Sequence, residues 1–134
     1  MLIDAADEAD FVGNALGPAL SAAGPRTKIV IWDHNYDHPE YLLAILKDQT
    51  ASRFISGTAF DLYAGDSTTM STIHKAFPNK AVYFTEQMVV EDRHGGVRPI
   101  AEPFHMIVID ALRNWSQTVL LWNLASDLNK WTSH

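Results

Sequence analysis

Ala81-Val-Tyr-Phe-Thr-Glu-Gln87 places a short aromatic and β-branched run directly in front of one carboxylate, with a carboxamide behind it. Such a run has the composition of a buried strand. Glu86 then falls at the C-terminal end of that strand, where parallel α/β folds hold their chemistry. A glutamate closing a core strand is costly unless it is used or paired, which makes Glu86 the first candidate for a reacting group. The plainer alternative is a strand-end glutamate that is ion-paired or faces water.

The same pattern recurs on both sides of this run. Lys28-Ile-Val-Ile-Trp-Asp33 reads as a first buried strand, ending in the polar set Asp33, His34, Asn35, Asp37 and His38. A second starts at Phe54 or Ile55 and runs to Tyr63, a third is Ala81 to Glu86, and a fourth is Thr118 to Asn123. Helices separate them. Residues 4 to 23 carry Phe11, Val12, Leu16 and Leu20 on one amphipathic face, with Gly17-Pro18 expected to kink or divide the helix. Asp37-His-Pro-Glu40 opens the next helix, with Asp37 as N-cap, Pro39 in the first turn and Glu40 three residues after the cap. Further helices are expected over 68 to 77, where Met70, Ile73 and Phe77 share a face, and from Pro103 to Arg113. This is the rhythm of βα units joined by right-handed crossovers into a parallel sheet, without an internal sequence repeat. The expected architecture is (βα)4, with a leading helix over 1–26, four strands and their helices over 27–125, and a polar tail over 126–134.

Composition narrows the function classes. A chain of 134 residues with 47% hydrophobic content makes one domain with a real core. A formal net charge of −6 and the lack of any basic run argue against a nucleic-acid or anionic membrane surface, so a neutral partner fits better. Cysteine is absent, which excludes disulfides and thiolate metal sites. The N-terminal residues have no basic start or long apolar core of a signal peptide, and no run is long enough to span a bilayer, so the expectation is a soluble chain.

A closed (β/α)8 barrel needs about 250 residues and eight strands, and this chain has roughly half of each. Phe104-His-Met-Ile-Val-Ile-Asp-Ala-Leu112 is apolar nearly all round, with only His105 and Asp110 as polar interruptions. Such a helix is either covered on two sides by a partner or leaves a patch that drives association. Self-association is the favoured expectation.

Asp33-His-Asn35, Gly57-Thr-Ala-Phe-Asp-Leu-Tyr63, Phe84-Thr-Glu-Gln87, Asn114-Trp115 and Trp122-Asn-Leu-Ala125, in this order at strand ends, resemble the C-terminal half of the catalytic barrel of glycoside hydrolase family 30. This is the glucosylceramidase-like family, and the resemblance runs from about Phe11 to Ala125. It implies that the four strands are the fifth to eighth of a TIM barrel and that the first helix is the barrel's fourth. It implies a retaining glycosidase mechanism with Glu86 as nucleophile, and a sugar pocket lined by Asp33, Asn35, Tyr63, Gln87, Trp122 and Asn123. The family's acid/base glutamate follows the fourth strand in an Asn-Glu-Pro setting, which this sequence does not contain. Ala101-Glu-Pro103 opens a helix after a long loop and is no substitute. The expectation is therefore low or no activity for the chain alone.

Asp61 departs from the family pattern, which usually has a histidine two residues before the tyrosine matched by Tyr63. Asp61 either couples with Glu86 across neighbouring strands to make a substitute acid, or marks a site no longer selected for turnover; the second is favoured because the geometry of glycosidic cleavage is demanding. Asp33, His34, Asn35, Asp37 and His38 match no metal-motif spacing, and a polar βα loop with a helix cap explains them more simply. No cofactor is expected. Trp122 reads equally as core or as an aromatic that stacks on a sugar face. Trp32 and Tyr83 read as packing residues, and His74 as a partner of its helix's C-terminal dipole.

Two functional readings result. One is a glycoside hydrolase whose second carboxylate comes from Asp61, from a second subunit or from a separate N-terminal half-barrel chain. The other is a non-catalytic half-barrel that binds sugar or self-assembles, closing its open edges and apolar lumen by homodimerisation. A small doubly wound nucleotide binder would need a Gly-rich first turn, which Asp33-His-Asn-Tyr-Asp37 lacks.

Overall fold

The computed structural model of the chain describes residues 3–24, 26–88 and 104–122. Its centre is a four-stranded parallel sheet: β1 (Ile29–Asn35), β2 (Ile55–Asp61), β3 (Ala81–Glu86) and β4 (Ser116–Val119). Each strand pairs with its neighbour in sequence, giving the order β1-β2-β3-β4. This is the arrangement of successive βα units in a barrel wall.

Period-two alternation splits the strand side chains between two faces. On the helix side, Ile29, Ile31, Phe60, Val82 and Phe84 join one core with Leu42, Ile45, Leu46, Met70 and Ile73 from the covering helices. Phe60 and Phe84 are fully buried there, and Tyr36 stacks on Phe60 with ring centroids 5.3 Å apart. On the opposite side Val30, Ala59, Tyr83, Thr118 and Leu120 line an open, apolar hollow that reaches Asp33 and Thr85 at its rim. Val30 and Leu120 are 40% and 54% exposed, so this lumen face is uncovered in the chain by itself. Gly57 belongs to the crowded β2–β3 seam: a Cβ there would lie 2.5 Å from the carbonyl oxygen of Ala81, so no larger residue fits without parting the strands.

The leading helical segment comprises α1 (Ala5–Phe11), a π-wound stretch (Val12–Leu16) and α2 (Gly17–Ala23) in succession. The Gly17-Pro18 pair was expected to kink or divide it. The winding changes there, from the π stretch that ends at Leu16 to the α-helix that starts at Gly17, with Pro18 in the first turn, where its missing amide costs nothing. α3 (Pro39–Lys47) corrects the expected cap: His38, not Asp37, occupies the N-cap without a side-chain cap bond, and Glu40 pairs with His38 Nδ1 at 2.9 Å instead. A short helix, α4 (Gln49–Ser52), was not foreseen. Asp48 caps it through the amides of Thr50 and Ala51. α5 (Thr68–Ala76) keeps His74 in its last turn, stacked on Trp115 at 4.0 Å.

Residues Phe104–Ile109 are π-wound and lead into α6 (Asp110–Arg113). Ile107 and Ala111 face the core, whereas Phe104, Met106 and Leu112 are each at least half exposed, so the apolar patch foreseen for this helix is present. β4 begins at Ser116, two residues earlier than expected, and its regular part ends at Val119, although the amides of Leu120 and Trp122 still pair with the carbonyls of Phe84 and Gln87 at 3.0 Å. β2 likewise ends at Asp61 instead of Tyr63. Asn123, the His94-Gly-Gly96 loop and the 126–134 tail lie outside the described residues. Among the described residues no helix is long and apolar enough to cross a membrane.

Candidate active site

Two bulges build the mouth of the sheet. Along β1, Trp32 pairs with Ala59 and His34 with Phe60, which leaves Asp33 as an extra residue. Along β3, Phe84 pairs with Phe60 and Glu86 with Asp61, which leaves Thr85 as the extra one. Bulges re-aim side chains at strand ends, commonly beside active sites. The β1 bulge is strained: Trp32 and Asp33 have φ of 84° and 51°, a region that costs non-glycine residues about 1–3 kcal/mol each. A hydrogen bond from the Trp32 indole N–H to the Asn35 carbonyl (2.7 Å) and packing on Tyr41 at 5.0 Å hold it there.

The outcome of the bulges is one level of polar groups across three strands, Asn35, Asp61 and Glu86, in direct register. The Tyr63 hydroxyl donates to Glu86 Oε1 at 3.0 Å and accepts from the Met88 amide at 3.1 Å. Tyr63 is itself anchored by its amide on Asn35 Oδ1 at 3.0 Å. Burial, the hydrogen bond to Glu86 and the nearby carboxylates raise the Tyr63 phenol, so it stays a donor. The Thr85 hydroxyl bridges to Asp33 Oδ1 (2.8 Å) and Asp61 Oδ1 (3.3 Å), joining strands that are not neighbours.

Asp61 is 8% exposed. Burial pushes its carboxyl above the usual aspartate range, and the charges of Asp33 and Glu86 add to this; the nearby His34 pulls the other way. A raised native pKa means that the native state holds the proton more tightly than the unfolded chain. The stability from this group is full below the unfolded value of about 3.9 and is lost as pH rises toward the native value. Asp61→Asn removes that titration. The Tm of the variant relative to wild type is expected to rise with pH above about 4 and to be least favourable below it; parallel Tm–pH curves for the two proteins would contradict this.

The structure thus gathers Asp33, Asn35, Asp61, Tyr63 and Glu86 at one end of the sheet. Gln87 follows them, its side-chain amide turned back onto the Met88 carbonyl at 2.9 Å. Trp122 stands beside Gln87 through its amide and is half exposed, so it is not a core residue among those described. Trp32 packs on Tyr41 as expected, whereas Tyr83 lines the open lumen. Among the described residues no group of three or more acidic or histidine side chains is arranged to hold a metal. Thr85 is the site residue that the sequence did not flag, because its role exists only through the two bulges.

Residues 1–133 match the Glycosyl hydrolase family 30 TIM-barrel domain. The chain belongs to glycoside hydrolase family 30. Among curated relatives in the family, an endo-1,6-beta-D-glucanase of Neurospora crassa is 34% identical over 127 residues, 92% of this chain and 25% of the relative. The lysosomal acid glucosylceramidase of Mus musculus is 28% identical over 85 residues, 60% of this chain and 16% of that protein. Among solved family structures, an endo-beta1,6-glucanase superposes with a TM-score of 0.83 at 32% identity, covering 91% of this chain and 29% of the other. The chain therefore spans about a quarter of the length of the family relatives it matches, and its four parallel strands are part of the family's TIM barrel.

Proposed function

We propose that this chain supplies the nucleophile side of a retaining β-glycosidase site, with Glu86 attacking the anomeric carbon of a β-linked glucoside. The observation that carries the reading is Glu86 at the C-terminal end of β3, with the Tyr63 hydroxyl 3.0 Å from its Oε1. A donor fixed on one carboxylate oxygen orients the other toward a substrate and limits its rotation. The names of relatives support a β-1,6-linked glucan as substrate class, ahead of a glucosylceramide. In this reading Asp33 and Asn35 meet sugar hydroxyls, Trp122 offers a stacking face, and Gln87 and Asn123 complete the pocket.

A retaining mechanism needs a second carboxyl about 5–5.5 Å from the first, on the leaving-group side of the bond. Asp61 lies beside Glu86 on the adjoining strand, buried and engaged with Thr85, so its position argues against a role as that acid. The acid then comes from a surface that closes the lumen, and by itself the sheet turns over weakly or not at all. Trapping tests the reading without the acid. A 2-deoxy-2-fluoro-β-glucoside carrying a leaving group that departs unprotonated is expected to leave one glycosyl adduct, on Glu86 in the peptide map; an adduct elsewhere, or none, would sink it.

The lumen face and the free edges of β1 and β4 are proposed to be covered by further strands, from a second copy or from an N-terminal half-barrel of the same family. For a second copy, light scattering on a size-exclusion peak is expected to give about twice the 14.9 kDa chain mass. A monodisperse monomer at high concentration would rule out self-complementation.

A further inference from the structure

Thr85 has one hydroxyl proton and three acceptors within reach: Asp33 Oδ1 at 2.8 Å, the Phe60 carbonyl at 3.3 Å and Asp61 Oδ1 at 3.3 Å. The shortest contact is to Asp33, and a charge-assisted bond of that length takes the proton. The hydroxyl oxygen then turns lone pairs toward the two remaining acceptors. The Phe60 carbonyl cannot carry a proton. Asp61 can, and with a proton it becomes the donor that the geometry lacks.

We propose that Thr85 is a positioning residue that passes one direction of hydrogen bonding across the mouth, from the protonated Asp61 to Thr85 and from Thr85 to the ionised Asp33. Asp61 then stands beside Glu86 as a neutral acid, and the rim carries two negative charges instead of three. The surroundings suit that state. Asp61 is buried, faces Asp33 and His34 from β1 and Glu86 from β3, and lies near the phenols of Tyr36 and Tyr63 in the loops after β1 and β2. None of these except His34 could neutralise an Asp61 carboxylate, and burial and like charge both disfavour one. The proton arrangement does not rest on the glycosidase reading.

The sign of one shift decides the arrangement. The side-chain carboxyl carbons of the full chain are followed by NMR from acid to neutral pH in wild type, Thr85→Val and Thr85→Ser. If Thr85 accepts from Asp61, removing the hydroxyl takes away a partner of the protonated form, and the Asp61 midpoint falls in Thr85→Val and is restored in Thr85→Ser. If Thr85 donates to an ionised Asp61, the midpoint rises in Thr85→Val, which overturns the proposal. Should Thr85→Val fail to fold, Asp33→Asn replaces it. Removing the Asp33 charge is expected to lower the Asp61 midpoint, whereas an unmoved midpoint would show that the two carboxyls are not coupled. A chain that titrates as expected yet never takes the label would refute the glycosidase reading alone.

Discussion

Glu86→Ala is expected to abolish the covalent adduct and to lower the turnover of the closed barrel by roughly 10⁴-fold or more, the scale on which removing a nucleophile acts. In the proposed reading, the retaining pathway splits one displacement into two through a glycosyl ester on this carboxylate. Without the carboxylate no ester forms, and water has no activated route from that face. Alanine leaves room for a small anion where the carboxylate stood. With azide and an activated aryl β-glucoside, the variant is expected to regain turnover and to yield the α-glucosyl azide, because azide attacks from the face that Glu86 occupied and no second displacement follows. A β-configured azide, or rescue that is equal in wild type, would place the nucleophile elsewhere. In the same reading Tyr63 gives a smaller contrast, since its hydroxyl bonds Glu86 and would orient it without reacting itself.

Phe60→Ala is expected to cost about 3–5 kcal/mol, enough to unfold much of a marginally stable chain. Phe60 is fully buried, stacks on Tyr36 and sits in the register row between His34 and Phe84. Its loss opens a cavity between the sheet and the helices in a place where flanking backbone is already fixed by two ladders. Relaxation is limited, so the cavity term adds to the transfer term. Denaturant titration gives the value; a loss under about 1 kcal/mol would mean that the sheet and helices can collapse onto the vacancy.

The strands were legible because their signal is local. Ile-Val-Ile before Asp33 and Val-Tyr-Phe before Glu86 are β-branched and aromatic runs that only a buried strand accommodates, and their polar ends located Glu86, Asp61 and Asn35 on one edge. What could not be read depends on pairing. Asp33 and Thr85 are extra residues only relative to β2, and no property of either residue alone marks a bulge. The contact between them crosses a whole strand. Asp37 had the composition of a cap, yet the turn after β1 places His38 at that position, because the bulge sets where the chain leaves the sheet. The start of β4 was misjudged for a similar reason: Ser116 and Gln117 are polar and precede the apolar run that set the expected start at Thr118, but the ladder with β3 takes them in.

In this sheet spatial order and order of synthesis coincide. After β1, each strand leaves the ribosome with a partner already made and has only the connection to its neighbour in sequence to close before the ladder forms, which keeps the entropy of each step small. No strand has to be threaded between two others. The chain can therefore consolidate one βα unit at a time, with Tyr36 and Phe60 meeting before the residues of β3 exist. The Thr85 bridge, which needs three strands, forms only when the third is in place. Proton sharing at the mouth is thus among the last things the chain acquires, and slowed translation after Phe60 should leave a protected β1–β2 pair that still lacks it.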